Sequence, residues 1–303
     1  MSVKVKAIDS QANISAGLRQ KILDYKLLIK FRLTLTVVFS SVMAFLIAAN
    51  ATAGWQSILV LSLGGFLVTA AANTLNQVLE KDYDKLMKRT QDRPLAAGRM
   101  GISEAVLAAG FMSMFGIICL ALFNPWTAFL GTLSLVLYAF VYTPMKRISP
   151  NAVLVGAIPG AMPTLIGVVA AQGELTLLGL SLFALQFLWQ FPHFWSIGWL
   201  GHEDYSKAGY KMIPTTTEGA PSRSLGMQAF LYALFLLPVG FMPFVLGVSG
   251  ILSAAIVLIL GVCYAWFGWD FYQKNNRKAA LRLMFFSFLY IPVSLVVFLL
   301  DKI

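Results

Sequence analysis

The sequence predicts an all-α integral membrane helical bundle, with nine transmembrane helices arranged as two pseudo-repeated four-helix units plus one. Three observations predict it. The 303-residue chain is 58% hydrophobic and only 12% charged, far from the balance of a soluble domain. Nine apolar runs are each long enough to approach the ~30 Å hydrocarbon core of a bilayer. All 23 Lys and Arg residues except Lys302 lie at the N-terminus or in and beside alternate connections, the one-sidedness that the positive-inside rule requires of a chain crossing repeatedly.

Residues 1–30 are expected to form a cytoplasmic or interfacial segment, and residues 31–303 a single transmembrane domain. In the segment, Leu18, Ile22, Tyr25 and Ile29 recur at helical spacing and suggest an amphipathic helix lying on the membrane. Asp9 and Asp24, with no uninterrupted apolar stretch, fit neither a secretory signal nor an acid-poor transit peptide. The spans are expected near Phe31–Ala49, Trp55–Val78, Ala105–Phe123, Trp126–Tyr142, Ala152–Ala171, Leu177–Leu200, Leu225–Leu246, Ile251–Trp269 and Leu283–Leu300. The connections after spans one, three, five and seven contain no Lys or Arg. The N-terminus and the loops after spans two, four, six and eight are therefore expected in the cytoplasm, with the chain in the inner (plasma) membrane and Lys302 on the far side. Topology and contact with anionic lipid account for much of the net charge of +10, so no nucleic-acid partner is expected. Cys119 and Cys263 fall inside spans without a CxxC pattern, where a small apolar role is the simpler reading.

The two long basic-side loops, residues 79–104 and 200–224, lie four spans apart. The first contains Glu80-Lys-Asp82-Tyr-Asp84-Lys85 and the second His202-Glu203-Asp204-Tyr205-Ser206-Lys207, so an acidic-Tyr-basic cluster recurs at the same topological place. Both units begin on the same side, which makes the repeat parallel and sets the two loops facing each other. Many transporters instead show inverted repeats and mid-membrane sites; here the charges gather at one face.

Asn76, Glu80 and Asp84 are spaced by four at the end of span two. On a helix that spacing places them on one slowly drifting stripe. Carboxylates at a helix C-terminus oppose the macrodipole, so cations are expected beside them, and Lys85, Lys88, Arg89 and Arg93 follow at once. Two carboxylates with neighbouring Arg and Lys suit Mg²⁺ bound together with a diphosphate better than a bare ion, because Mg²⁺ prefers six oxygens and usually takes several from phosphate and water. The blander reading is a solvated loop with weak local ion pairs.

Three stretches resemble the UbiA-type intramembrane prenyltransferases: Asn76 to Gly98; Tyr142-Thr-Pro-Met-Lys146-Arg147 with Pro159-Gly-Ala-Met-Pro163-Thr164; and Phe187-Leu-Trp189-Gln190-Phe-Pro192-His193-Phe-Trp195 through Asp204-Tyr205. The last is similar to the haem-farnesylating branch of that superfamily. The resemblance implies transfer of a farnesyl group from farnesyl diphosphate to a vinyl group of haem B, with addition of water, giving haem O and diphosphate. Haem B would be substrate rather than cofactor, one or two Mg²⁺ ions the cofactor, and the lipid bilayer and a downstream haem-modifying enzyme or oxidase assembly factor the other partners. It implies Asn76, Glu80, Asp82 and Asp84 as metal ligands, and Arg89, Arg93, Tyr142, Lys146, Arg147, Trp189, Gln190, Asp204 and Lys207 as substrate-binding groups. Asn76, Glu80, Asp84 and His193 would be catalytic, with His193 serving as iron ligand, propionate contact or proton acceptor. Phe187, Trp189, Phe191, Phe194 and Trp195 are candidate tunnel walls, although an interfacial aromatic belt or plain helix packing would equally place each of them. The chain departs from the family pattern at Glu80, where Asp is usual, and at Lys30-Phe31-Arg32, where Lys-Pro-Arg is frequent. The second superfamily motif, two Asp separated by three residues, falls on Gly201 and Tyr205, so the first motif is expected to carry more of the metal binding. Prenylation of a quinone precursor or another aromatic acceptor, and transport of haem or a lipid phosphate, remain open on the residues alone.

Overall fold

The structure is a computed structural model that describes residues 17–50 and 54–303; Asp9 lies outside them. A short helix α1 (residues 17–28) precedes α2 (Phe31–Ala48), α3 (Trp55–Asp84) and α4 (Ile102–Ala121). Next come α5 (Pro125–Val136), a π-helical segment (Leu137–Tyr142) and α6 (Thr143–Met145), which together make one span. The rest are α7 (Ala152–Gln172), α8 (Leu177–Leu200), a short α9 (His202–Lys207), α10 (Ser224–Val245), α11 (Ile251–Lys274) and α12 (Arg277–Leu300). Among the described residues, nine helices are long and apolar enough to cross a membrane, and the only β pairing is two isolated bridges.

The span ends depart from the apolar runs where local chemistry extends a helix. The second span continues past Val78 to Asp84, because its polar last turns find partners in neighbouring segments. The ninth begins at Arg277 rather than Leu283: the Asn276 side chain accepts from the Ala279 N–H at 3.0 Å, a cap that starts the helix six residues early. In the fourth span, Asn124 caps the start ahead of Pro125, and the π segment lies immediately before Pro144. Proline lacks an N–H and crowds the preceding turn. The widened turn absorbs this, with the Thr143 N–H reaching back five residues to the Tyr138 carbonyl.

α7 lies at the centre of the bundle and packs on α2, α5 and α8. Its approach to α2 is backbone to backbone, since a Cβ at Gly167 would lie 2.1 Å from the Ser41 carbonyl oxygen. Small residues at such contacts permit close packing in lipid. α12 returns to α8 and α2. Large apolar side chains such as Phe111, Phe115, Ile259 and Val262 remain exposed because their solvent is hydrocarbon. α1 docks on the end of α3: Gln77 Nε2 donates to the carbonyls of Leu27 at 2.9 Å and Leu28 at 2.8 Å, and Asp24 pairs with Arg99 at 2.9 Å. Leu18 and Ile22 stay exposed, as a helix lying on the membrane requires.

Candidate active site

At one end of the bundle the stripe on α3 forms a closed polar network. Glu80 Oε1 accepts from Lys146 Nζ at 2.8 Å and Oε2 from Asn76 Nδ2 at 2.9 Å. Asn76 Oδ1 accepts from Lys30 Nζ at 2.8 Å, and its Nδ2 also donates to Thr143 Oγ1 at 3.0 Å. Asp84 receives Arg93 Nη1 at 2.8 Å from both carboxylate oxygens. Asn76, Glu80 and Asp84 are all buried. Of the cations expected against the dipole of α3, only Arg93 meets the stripe; Lys30 and Lys146 reach it from distant segments, while Lys85 pairs with Asp82 and Arg89 turns to Tyr205.

Several elements position them. Thr90 Oγ1 donates to the Asp84 carbonyl at 2.9 Å, folding the loop after α3 so that Arg93 returns to Asp84. The π segment turns Tyr138, Tyr142 and Thr143 toward α3. Tyr138 donates to Asn73 Oδ1 at 3.3 Å and accepts from Lys30 at 3.4 Å, while the Tyr142 ring lies 4.6 Å from Lys146 Nζ. Gly156 on α7 makes room for that ring, since a Cβ there would meet Tyr142 Cε2 at 2.5 Å. Lys30 sits in the left-handed region at φ 48°, which ends α1 and turns its ammonium inward. Burial, then the nearby Arg93 and Lys146 charges, push its pKa well below the usual lysine range.

The two long loops meet over this network. Arg89 Nη2 donates to Tyr205 OH at 3.0 Å, the Tyr83 and Tyr210 rings pack at 5.9 Å, and the Lys211 N–H donates to the Lys146 carbonyl at 2.8 Å. Arg147 donates to Tyr83 OH and lies 4.5 Å from its ring. Arg89 and Arg147 are therefore held by neutral phenols, and the cluster holds more cations than carboxylates. An anion is what it lacks.

Not every expected residue joins. Asp82 projects outward, is 79% exposed and pairs with Lys85 at 2.9 Å; the intervals of four that align its neighbours leave it on another face. Asp204 and Lys207, on α9, form no ion pair among the described residues. Gln190 Nε2 donates to the Ala157 and Gln186 carbonyls at 3.1 and 3.0 Å, which fixes α8 against α7. His193 is buried at the contact of α8 with α12, its ring stacked on Trp189 at 5.0 Å and met by the edges of Phe194 and Phe288. Sequence reasoning missed Tyr210, buried beside Glu80 with a hydroxyl that meets no partner within hydrogen-bonding geometry among the described residues. Burial and the Glu80 and Asp84 charges push its pKa up. It also missed Lys30 as a site residue, and Asn73, Tyr138 and Thr143. Their signal was polar groups at helical spacing inside apolar spans.

Nine spans with a buried carboxylate, amide and cation cluster at one end define an intramembrane transferase, and the chain belongs to the UbiA prenyltransferase family, matching it over residues 37–290. It is 44% identical to the protoheme IX farnesyltransferase of Cytophaga hutchinsonii over 92% of this chain and 97% of that one. It is 39% identical to that of Flavobacterium johnsoniae over 96% and 98%. Among solved structures, a digeranylgeranylglyceryl phosphate synthase superposes with TM-score 0.77 at 17% identity, over 93% of this chain and 98% of that one. A UbiA homolog from Archaeoglobus fulgidus bound to GPP and Mg²⁺ gives 0.67 at 15%, over 91% and 99%. Both share the fold.

Proposed function

We propose that this chain transfers a farnesyl group from farnesyl diphosphate to a vinyl group of haem B, with addition of water, giving haem O and diphosphate. The observation that carries the donor half is the cation surplus around Glu80 and Asp84. The acceptor half rests on the near-full-length likeness to protoheme IX farnesyltransferases.

The donor set fits Mg²⁺. Glu80 Oε1 and both Asp84 oxygens lie 2.8 Å from a nitrogen of Lys146 or Arg93, so the site already holds positive charge against three of its four carboxylate oxygens, while Glu80 Oε2 accepts from the neutral Asn76 amide at 2.9 Å. Asn76, Glu80 and Asp84 would hold the ion, with diphosphate and water supplying the remaining ligands. When bound, Mg²⁺ neutralises charge on the departing diphosphate. Lys146 and Arg93 would turn from the carboxylates, and Lys30 from the Asn76 amide oxygen, to diphosphate oxygens, where Arg89 and Arg147 would join them; Arg suits such contacts because its planar fork matches phosphate geometry. The allylic C–O bond breaks with its electron pair leaving on diphosphate, and the vinyl π electrons form the new C–C bond. Water adds to the resulting cation and loses a proton to a nearby base. We assign that acceptor side to His193, on α8 among aromatic faces that favour a cation and exclude early water.

The same reading places the chain in the inner membrane with the N-terminus and active-site loops cytoplasmic, and residues 1–30 as an interfacial segment before a single domain, 31–303. It treats the bundle as a parallel repeat of α2–α5 and α7–α11 with α12 appended. The meeting of the two long loops supports that pairing. A downstream haem-modifying enzyme or oxidase assembly factor would receive the product, which is too apolar to leave the bilayer freely.

The test is purified protein with haem B, farnesyl diphosphate and Mg²⁺, followed by mass analysis of the haem. The expected product carries farnesyl plus one water. Folded protein that gives no prenylated haem overturns the proposal, and a prenylated quinone precursor formed in its place would support the other acceptor class.

A further inference from the structure

His193 on α8 and Ser287 on α12 are 94 residues apart, yet His193 Nδ1 lies 2.7 Å from Ser287 Oγ. The serine is fully buried. Its hydroxyl has one proton, and Oγ also lies within hydrogen-bonding distance of the Met284 carbonyl oxygen. A carbonyl only accepts, so a seryl proton given to Met284 leaves Oγ to accept from the ring. In that arrangement the neutral imidazole carries its proton on Nδ1 and its lone pair on Nε2. Among the described residues Nε2 makes no hydrogen bond. The backbone of Ser287 completes the clamp: Trp189 Nε1 donates to its carbonyl at 2.7 Å, holding the indole on which the imidazole is stacked. Tyr264 OH in turn donates to the Trp189 carbonyl at 3.2 Å.

We propose that Ser287 is a positioning residue that, by accepting from Nδ1–H, fixes His193 in the tautomer presenting the Nε2 lone pair to the acceptor substrate. The inference rests on the assignment of His193 to the acceptor side. A lone pair at a fixed place serves two ends that share one chemistry, donation to the haem iron or acceptance of the proton from the incoming water. Orienting partners of this kind raise the usefulness of an imidazole by settling which nitrogen is free.

The chain has only 2 His residues, so the tautomer is directly readable. ¹⁵N NMR of histidine-labelled full-length protein, with His202 assigned by its loss in His202→Gln, should show His193 protonated on Nδ1. In Ser287→Ala that signature should give way to a mixture or to the Nε2–H form. Turnover should fall about 10–100-fold at an unchanged KM for farnesyl diphosphate, and Ser287→Thr, which keeps the acceptor oxygen, should recover tautomer and rate together. A bound-haem absorption band displaced in both His193→Ala and Ser287→Ala assigns the lone pair to iron. An undisplaced band with selective loss of the hydrated product assigns it to the water. An Nε2–H tautomer in the wild-type protein overturns the inference whether or not any variant folds, as does a Ser287→Ala protein with unaltered tautomer and rate. Full activity in His193→Ala would instead overturn the underlying assignment of His193 while leaving the tautomer result intact.

Discussion

Replacing Glu80 by Gln preserves volume and removes one charge from the centre of the network. Glu80 Oε1 and Oε2 each accept from a separate donor, Lys146 at 2.8 Å and Asn76 at 2.9 Å. An amide has a single acceptor oxygen, so one donor would face an N–H. At an effective dielectric of 20 the pair with Lys146 is worth about 6 kcal/mol of Coulomb energy, most of it offset by desolvation. Leaving the ammonium buried without a partner costs about 3–5 kcal/mol. For turnover, loss of one preorganised charged group costs about 10²–10³ in kcat. The assay is farnesylation of haem against Mg²⁺ concentration, read by mass, with thermal unfolding in detergent run alongside. Glu80→Gln should lose rate by that factor, need more Mg²⁺ for half-maximal rate, and recover in part as Mg²⁺ rises. Asp82→Asn is the internal comparison, because Asp82 is exposed and meets only Lys85; its rate and stability should stay close to wild type. Equal losses in the two variants, or an unchanged Mg²⁺ requirement in Glu80→Gln, would refute the assignment of the buried stripe as the ion's site.

Two further substitutions probe how the site is held. Gly156→Ala places a methyl group 2.5 Å from Tyr142 Cε2, so the ring must leave its place over Lys146; overpacking of this kind costs about 1–3 kcal/mol, and both the unfolding temperature and the rate should fall. Tyr210→Phe removes a buried hydroxyl that has no partner among the described residues, which should stabilise the substrate-free protein by about 1–3 kcal/mol. A lower unfolding temperature in that variant would mean that the phenol is hydrogen-bonded after all.

What was legible in the sequence depended on period and on locality. Long apolar runs located all nine spans, because burial in hydrocarbon is a property each helix expresses by itself. The stripe Asn76, Glu80 and Asp84 was legible for the same reason, being set by the pitch of one helix. Its partners were only partly so. Arg93 lies nine residues from Asp84 and was expected near it, whereas Lys30 reaches Asn76 across 46 positions because α1 ends in a left-handed residue, a conformation that non-glycine sequence does not announce. The π segment was hidden too, since Pro144 signals disruption but not whether the helix breaks, kinks or widens. Ser287 was invisible among the apolar residues of α12, for its role exists only once α8 lies against it. The doubtful second motif resolved in an unexpected way. The loop after α8 lacks the paired carboxylates, and it contributes the phenols of Tyr205 and Tyr210, neutral groups that hold Arg89 and pack on Tyr83.

That substitution of phenols for carboxylates sets the charge balance of the site, and with it the order in which ligands bind. Glu80 and Asp84 face Lys146 and Arg93, and Lys30 sits on the Asn76 amide oxygen; counting Lys30 as protonated, the formal sum is about +1 before Arg89 and Arg147 are included. Mg²⁺ alone would raise that sum to about +3 while displacing Lys146 and Arg93 from the only carboxylates they meet among the described residues, and burial of unpaired charge is costly. Farnesyl diphosphate, a trianion when fully ionised, brings the sum back near zero and gives each displaced cation an oxygen. Mg²⁺ and diphosphate are therefore expected to bind with strong positive coupling, typically 1–3 kcal/mol for linked sites. Thermal unfolding reads this directly, since a ligand that binds only the folded state raises the midpoint. Mg²⁺ alone should leave the midpoint nearly unmoved, a non-hydrolysable farnesyl thiodiphosphate should raise it modestly, and the two together should raise it by more than the sum. Lys146→Met, which removes one displaced cation, should let Mg²⁺ alone stabilise the protein more than it does the wild type. If Mg²⁺ alone stabilises the wild-type protein as much as the pair does, the carboxylates form a complete metal site without the diphosphate, and the charge argument fails.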